Sequence, residues 1–359
     1  MPREHAPSIR SLARDTGLSK ATVAYALNGS PGVAEETVRR VREAAEKAGY
    51  RRNPMFSALM SAMRRAQGVS FQGVLAAVDL VEPERPAHGP FHRELVAGAR
   101  ATAETLGFSF ELHQVGVDGM SPERLSSVLR ARGIRGLVIL PAWRTPDFSR
   151  FDWDWFTGIY ADYIADKPLL NAVCSDHYRS MLDLLDLLHA RGYRRPGLVI
   201  EEGRDERLHL RTSAALRSFN ASRPGAKAPA PFVIQADGPS HASGDATPAG
   251  SIASSRRAIL DWARRERVDV LLSHHPELLD WLGEEGFAVP GDIGFVGLNL
   301  AKARGRCAGL DLRPRLIGRC AIETLVGQIQ RQAWGLPDYP TTTTLAGEFR
   351  DGPTLRNAQ

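Results

Sequence analysis

The sequence predicts a small all-α N-terminal domain followed by a larger α/β region with parallel sheets. Short amphipathic segments separated by glycine dominate residues 1–50, and from residue 71 onward apolar strands alternate with amphipathic helices. A length of 359 residues suits two or three domains. The sequence therefore predicts a helical headpiece joined to a larger α/β unit.

The N-terminal segment reads as three short helices. Ser8 is a candidate N-cap for the first helix, and Gly17 ends it because glycine adopts the left-handed C-cap conformation at low cost. Ser19 caps a second helix over residues 20–27, and a third over about residues 35–47 closes a small core. Helix, glycine turn and helix is the arrangement whose second helix enters the major groove of DNA.

Charge agrees with nucleic-acid binding. Residues 1–66 contain 12 Lys and Arg against 6 Asp and Glu, whereas the whole chain has a net charge of +5. The excess positive charge thus lies where contacts with phosphates would need it. Because any three-helix bundle acquires a basic face by chance, charge alone leaves the interpretation open.

The segments SKATVAYALNGS and TVRRVREAAEKAGY carry a more specific pattern. They resemble the lactose/galactose-repressor (LacI/GalR) family of bacterial transcription regulators, whose headpieces read S-x-x-T-V-S-x-x-L-N and then T-x-x-x-V-x-x-A-x-x-x-x-G-Y. The matching residues are Ser19, Thr22, Val23, Leu27, Asn28, Thr37, Val41, Ala44, Gly49 and Tyr50.

The resemblance implies two groups of DNA contacts on the second helix. Lysine donates to guanine, and an alanine methyl contacts the thymine methyl. Base edges would be read by Lys20, Ala21 and Tyr25, and phosphates would be held by Ser19, Thr22 and Asn28. The alternative for Tyr25 is a partly buried packing residue.

The segment after the third helix departs from the family pattern Y-x-P-N-x-x-A-x-x-L, whose leucine wedges into a minor-groove step. Asn53 and Leu59 keep their places, but the proline follows the asparagine and Phe56 replaces a small residue. Pro54 suits the first turn of a helix. Residues 54–70 are therefore predicted to form a hinge helix and linker that pairs with its twofold mate and kinks the duplex. An ordinary amphipathic linker helix is the alternative.

The α/β region is also similar to the family in three segments, DHYRSMLDLLDLLHARGYRRPGLVI, EEGFAVPGDIGFVGLN and GLPDYPTTTTLAGEFRDGPTLR. The resemblance implies a periplasmic-binding-protein-like sensor of two α/β subdomains with a ligand cleft between them. The expected domains are a headpiece (1–53), the hinge (54–70) and a ligand-binding and dimerisation domain (71–359). With three crossovers, the N-subdomain would comprise about 71–173 plus 315–345, and the C-subdomain about 174–314 plus 346–359.

The secondary structure of this region follows from apolar runs and helical periodicity. Strands are predicted over residues 73–80, 108–114, 136–140, 158–161, 172–173, 197–200, 232–235, 268–272 and 293–296. Helices are predicted over residues 91–106, 122–132, 178–191, 208–220, 256–265 and 277–285, with surface loop over 223–250.

Candidate effector contacts follow from the rule that open parallel sheets bind ligands beyond the carboxyl ends of their strands. They are Phe91, His92, Trp143, Asp162, Arg211, His274, His275 and Asn299. Arg211 matches by spacing the family's cleft arginine, a fork of donors that grips hydroxyls or a carboxylate. The His274-His275 pair and Asn299 depart from the residues common in the family, so a sugar-like effector is expected on family grounds only. Each candidate is otherwise an exposed strand-end side chain, and Phe91 and Trp143 are otherwise core residues.

Enzymatic and membrane functions find no support in the sequence. It contains no GxSxG elbow, no P-loop and no GxGxxG after a strand, and Pro90 opposes a helical metal site of His88 and His92. No cofactor and no metal are expected. No apolar run approaches the roughly 20 residues that cross a bilayer, and the first ten residues lack the apolar core of a signal peptide, so the expected location is the cytoplasm.

These observations favour a sequence-specific transcription regulator, a repressor, that binds a palindromic DNA operator as a homodimer. A small, sugar-like effector in the cleft would gate it. Two alternatives stay open: a DNA-binding regulator that has lost small-molecule control, and a binding protein or enzyme with a decayed headpiece.

Overall fold

The headpiece consists of three helices around a small apolar core. A computed structural model describes residues 9–28, 33–48, 71–81, 89–116, 120–142, 147–161, 167–234, 249–303 and 305–357. The helices are α1 (Ile9–Thr16), α2 (Lys20–Asn28) and α3 (Glu35–Lys47). Leu12, Val23 and Val41 are fully buried between them. Gly17 ends α1 with a positive φ of 66°, as the sequence predicts.

Two six-stranded sheets follow, which we call the N half and the C half. The N half contains β1 (Gly73–Val81), β2 (Phe108–Gly116), β3 (Gly136–Ile139), β4 (Thr157–Ala161), β5 (Asn171–Ser175) and β11 (Thr342–Leu345). The C half contains β6 (Pro196–Glu201), β7 (Phe232–Ile234), β8 (Val270–Ser273), β9 (Gly294–Gly297), β10 (Ala308–Asp311) and β12 (Glu348–Arg350). The helices are α4 (Pro90–Thr105), α5 (Pro122–Ala131), α6 (His177–Ala190), α7 (Glu202–Arg207), α8 (Arg211–Ser222), α9 (Ala249–Ser254), α10 (Arg256–Arg265), α11 (Glu277–Glu284) and α12 (Pro314–Arg331).

The strands run parallel in both sheets, except that β12 pairs antiparallel with β10. The order is β11-β5-β4-β3-β1-β2 in the N half and β12-β10-β9-β8-β6-β7 in the C half. The chain therefore crosses between the halves after β5, after β10 and after β11. This is the predicted architecture of a helix-turn-helix headpiece followed by two parallel-sheet α/β units.

Helix α12 returns from the C half and packs along α4 beside the N-half sheet. Glycines allow the two backbones to touch: a Cβ atom on Gly98 would lie 2.2 Å from the Arg315 carbonyl oxygen. A Cβ on Gly318 would lie 2.1 Å from the Leu95 carbonyl oxygen. The N half is thus completed by a helix from the far end of the chain.

Three features differ from the prediction. The helix predicted over 208–220 begins at Arg211, because His209 and Leu210 adopt left-handed backbone conformations with φ of 54° and 58°. A separate short helix, α7, precedes this break where no helix is predicted. The helices α9 and α12 are also absent from the prediction, and only the first two residues of α9 fall in the predicted loop over 223–250.

None of the helices in the described ranges combines the length and the apolar character needed to span a membrane. Cys174 and Cys307 are buried, Cys320 is partly buried, and all three are free thiols.

Candidate DNA-binding face and effector cleft

Helix α2 has an apolar side and a polar side. Val23 and Ala26 are fully buried against α1 and α3, which fixes the rotation of the helix. On the opposite side Lys20 is exposed, and Tyr25 has 56% of its surface in solvent. Both predicted base readers therefore stand clear of the core, where they are able to approach base edges.

Ser19 caps α2. Its Oγ accepts a hydrogen bond from the Thr22 backbone N–H at 3.0 Å and lies 2.8 Å from the Thr22 Oγ1. This satisfies one of the N–H groups that a helix start leaves without an intrahelical partner. Both hydroxyls lie at the exposed N-terminal end of the helix, beside Lys20. Ala21 and Asn28 belong to α2, but their side chains lie outside the described part, as do the predicted hinge contacts Asn53 and Leu59.

The two halves meet at the carboxyl ends of their strands. The Arg207 Nη1, at the end of α7 in the C half, donates a hydrogen bond of 3.1 Å to the carbonyl oxygen of Ala142, which follows β3 in the N half. Phe91, at the start of α4, packs against the buried cores of both halves. Its ring is thus an apolar link between the halves at this junction. We call the junction between the strand ends of the two halves the gap.

A charged cluster lies on the C-half side of this gap. Its centre is Glu201 at the end of β6, which forms an ion pair with Arg204. The Nε2 of His275 lies 2.9 Å from the Glu201 Oε1, and the His275 Nδ1 lies 3.2 Å from the Glu277 Oε1. Glu201 is only 7% exposed, so these contacts replace the water that a buried carboxylate loses.

The protonation states in this cluster follow from burial and charge. Burial alone would raise the pKa of Glu201, but Arg204 and His275 hold it well below its usual range. Burial likewise opposes charge on His275, yet its contacts with Glu201 and Glu277 raise its pKa above the usual value. The carboxylate is therefore ionised and the imidazole is biased toward its charged form.

Two further histidines of the cluster are held neutral. Burial, followed by the positive charges of Arg211, Arg204 and Arg207, lowers the pKa of His177 to about 4. Burial also lowers the pKa of His274 well below its usual value. His177 is the first residue of α6 and directly follows the crossover from β5. The three arginines, which come from α7 and α8, thus approach one imidazole at the gap.

Among the described residues, the N-half side contributes a buried histidine–aspartate pair. The Nε2 of His92 lies 3.6 Å from the Oδ1 of Asp79, and both side chains are buried, with Asp79 only 1% exposed. This pair connects the end of β1 with the start of α4. Predicted contacts Trp143 and Asp162 lie outside the described residues.

The structure distinguishes the other predicted effector residues. Arg211 is partly buried at the start of α8 and enters the cluster. His274 is 8% exposed, and its Nδ1 is closed off from solvent. The Oδ1 of Asn299 accepts a hydrogen bond of 3.0 Å from the Ala301 backbone N–H and caps the turn at Leu300–Lys302.

Sequence reasoning missed His177, Glu201, Arg204 and Arg207. The signal was present, because the charged run EEGRDER directly follows a predicted strand, and His177 follows another by two residues. Within the described ranges, no group of three or more His, Cys, Asp or Glu side chains is arranged to hold a metal ion.

The headpiece matches the sequence model of a known family. The sequence model described as "Bacterial regulatory proteins, lacI family" matches residues 8–53. YkvZ of Bacillus subtilis, an uncharacterised helix-turn-helix-type transcriptional regulator, is 25% identical over 207 residues, which are 58% of this chain and 60% of YkvZ. The transcriptional regulator GntR of Pseudomonas aeruginosa is 41% identical over 63 residues, 18% of either chain. The chain thus aligns with less than two thirds of either of these curated relatives.

Solved structures extend the similarity to the whole fold. A complex of the transcriptional regulator CelR with cellobiose has a TM-score of 0.61 at 20% identity and covers 97% of this chain and 99% of its own. The lac repressor dimer bound to operator and the anti-inducer ONPF has a TM-score of 0.57 at 17% identity, covering 98% and 100%. The proteins named in these comparisons are regulators or repressors, in agreement with the prediction that the chain is not an enzyme.

Proposed function

We propose that this chain is a regulator of the lacI family, whose sequence model matches residues 8–53, and that it is a transcription repressor that binds a palindromic operator as a homodimer. A small molecule in the gap between the two halves controls it. The observation that carries the proposal is the face of α2: Lys20 and Tyr25 are exposed while Val23 and Ala26 anchor the helix.

A single headpiece offers one recognition helix, which reads only half of a palindromic site. Two copies double the contact and bring both hinge segments to the centre of the site. The solved lac repressor dimer on its operator supports this arrangement by similarity of fold. In the proposed assembly, Asn53 and Leu59 lie near the central step, where Leu59 kinks the duplex from the minor groove.

Control by a small molecule requires a difference in affinity between two arrangements of the halves. The Arg207 contact with Ala142 and the packing of Phe91 join the halves directly across the gap. A ligand that strengthens or displaces these contacts shifts the relative position of the halves and, through β1, the hinge. The cellobiose complex of CelR supports a sugar or sugar derivative as the effector.

The test is selection of bound sequences from a random DNA duplex pool with the full-length protein, with and without candidate sugars. A palindrome with a flexible pyrimidine–purine step at its centre is expected. Tyr25→Ala should then lower affinity for the selected site by about tenfold or more, because a base contact contributes about 1–3 kcal/mol. Arg257→Ala, which alters an exposed C-half side chain, is the matched control.

No enriched sequence under any of these conditions would contradict the proposal. Equal losses for Tyr25→Ala and Arg257→Ala would contradict the assignment of the reading face. Unchanged DNA bending and affinity in Leu59→Ala would contradict the minor-groove wedge while leaving major-groove reading in place.

A further inference from the structure

The gap between the halves contains an arginine whose charge is not matched by a carboxylate. Arg204 forms an ion pair with Glu201, and Arg207 donates to the Ala142 carbonyl oxygen. The side chain of Arg211, partly buried at the start of α8, makes no hydrogen bond or ion pair with another described residue. A partly buried guanidinium loses hydration, and an anion that offers two oxygen atoms restores it best.

Among the described residues of the C half, the oxygen acceptors nearest the charged cluster are either engaged or buried. The Glu201 oxygens face Arg204 and His275. The Asp176 Oδ1 accepts from the Arg179 backbone N–H at 2.9 Å, and its Oδ2 accepts from the Thr344 hydroxyl at 3.2 Å. Asn299 caps its own turn with its Oδ1. The Asp205 Oδ1 is closed off from solvent, so a ligand in the gap does not reach it.

Ligand classes differ in what they require from such a surface. A neutral sugar presents hydroxyls, each of which both donates and accepts, so its recognition uses protein acceptors as well as donors. A carboxylate or phosphate only accepts when ionised, and it pairs with guanidinium and imidazole donors. Next to the donors Arg211 and Arg207, the acceptors Glu201, Asp176 and Asn299 are already occupied.

We infer that the effector carries a carboxylate or phosphate group, which binds to Arg211 beside His177 and Arg207. The inference rests on the proposed function in that it takes the gap between the halves as the effector site. His177 supplies a neutral imidazole at this position, because burial, followed by the charges of Arg211, Arg204 and Arg207, lowers its pKa to about 4.

The first test uses inorganic phosphate as the probe on the full-length protein. Thermal unfolding is followed as sodium phosphate replaces sodium chloride at matched ionic strength. A bound anion raises the melting temperature by mass action, with a saturable dependence on concentration. The wild type is compared with Arg211→Gln, which removes the charge, and with Arg217→Gln, which removes an exposed arginine from the same helix.

We expect a saturable rise in melting temperature in the wild type and in Arg217→Gln. In Arg211→Gln the phosphate affinity should be about tenfold lower or worse, because hydrogen bonds between charged groups contribute strongly to binding. The comparison also removes non-specific salting effects and phosphate binding by the headpiece, which are common to all three proteins. Arg211→Lys keeps the charge and is the second variant if Arg211→Gln does not fold. Identical phosphate responses in Arg211 and Arg217 variants would overturn the inference.

The second test separates the two sources of the anion. Calorimetric titrations compare a sugar acid, a sugar phosphate and the parent neutral sugar. Tighter binding of either anionic compound than of the neutral sugar supports the inference and identifies the group. Binding of the neutral sugar with equal or greater affinity overturns it. Neither outcome alters DNA selection, so failure of this inference is distinct from failure of the proposed function.

Discussion

The N half and the C half share one topology and differ in chemistry. Subtracting five from the strand numbers of β10-β9-β8-β6-β7 reproduces the order β5-β4-β3-β1-β2 of the other sheet. Among the described residues, the strand ends of the N half contribute the ring of Phe91, the carbonyl of Ala142 and the buried His92–Asp79 pair. Those of the C half contribute the charged cluster around Glu201. The topology places both sets at one gap, and the side chains after each strand decide what each set binds.

The halves also differ in the element that the C-terminal part of the chain adds to each of them. In the N half, α12 lies so close to α4 that Gly98 and Gly318 face backbone atoms directly. In the C half, completion comes from the short antiparallel strand β12 beside β10. The N half should therefore tolerate added volume at its helix contact poorly.

The largest expected effect tests this helix contact. Gly318→Ala should lower the free energy of unfolding by about 3 kcal/mol or more, because overpacking a close contact is costly and the neighbours here are backbone atoms. Gly283→Ala in α11 is the matched control, since no atom lies within 4 Å of its added methyl. That control should be neutral or more stable by up to ~1 kcal/mol, the difference in helix propensity.

Urea unfolding followed by intrinsic fluorescence measures both variants. A loss in Gly318→Ala no larger than that in Gly283→Ala would show that α4 and α12 separate without cost. The proposed difference between the tight α4–α12 contact of the N half and the β12 strand of the C half would then be wrong.

How far the sequence predicts this molecule depends on whether a feature is local. The headpiece helices were predicted within a residue or two, because Gly17, Ser19 and the apolar spacing act over neighbouring residues. The left-handed turn at His209 and Leu210 was missed, since residues other than glycine adopt a positive φ uncommonly. It requires the surrounding packing, which the sequence pattern does not reveal.

The site divides in the same way. Arg211 was predicted from its spacing in the family pattern, and the His274-His275 pair was predicted because it follows a predicted strand. The approach of Arg207 to Ala142 joins residues 65 positions apart. His177 enters the cluster only because the crossover after β5 places it beside α7 and α8. Such contacts depend on the relative position of two sheets, for which no local pattern exists.

An effect of intermediate size is expected in the response of the C-half charged cluster to acid. The pKa of His177 is about 4 in the folded protein, below the ~6.5 of an unfolded chain. The unfolded state therefore binds the proton first, and stability falls as the pH drops from about 6.5 toward 4. The lowered pKa of His274 acts in the same direction, whereas the raised pKa of His275 acts in the opposite one.

His177→Gln should reduce the acid-induced loss of unfolding free energy by roughly 1–3 kcal/mol, given that one pKa unit corresponds to about 1.4 kcal/mol. Urea unfolding at pH values between 4.5 and 7.5, spaced about one unit apart, measures the slope of the unfolding free energy against pH. His189→Gln, near the other end of α6, is the control. Parallel slopes for wild type and His177→Gln would show that burial and the neighbouring arginines do not lower the pKa of this imidazole.

The smallest effect concerns ion pairs away from the gap. Arg132 binds Glu111 in the N half through two contacts of 2.7 and 2.8 Å, and Arg223 binds Asp186 in the C half through contacts of 2.7 and 2.6 Å. Because both pairs are similarly exposed, double-mutant cycles to alanine should give coupling energies of about 0.5–1 kcal/mol for each. Equal coupling energies would show that the electrostatic difference between the halves is limited to the gap. A much stronger coupling for the C-half pair would mean that the whole C half, and not its ligand-facing edge alone, has a different electrostatic character.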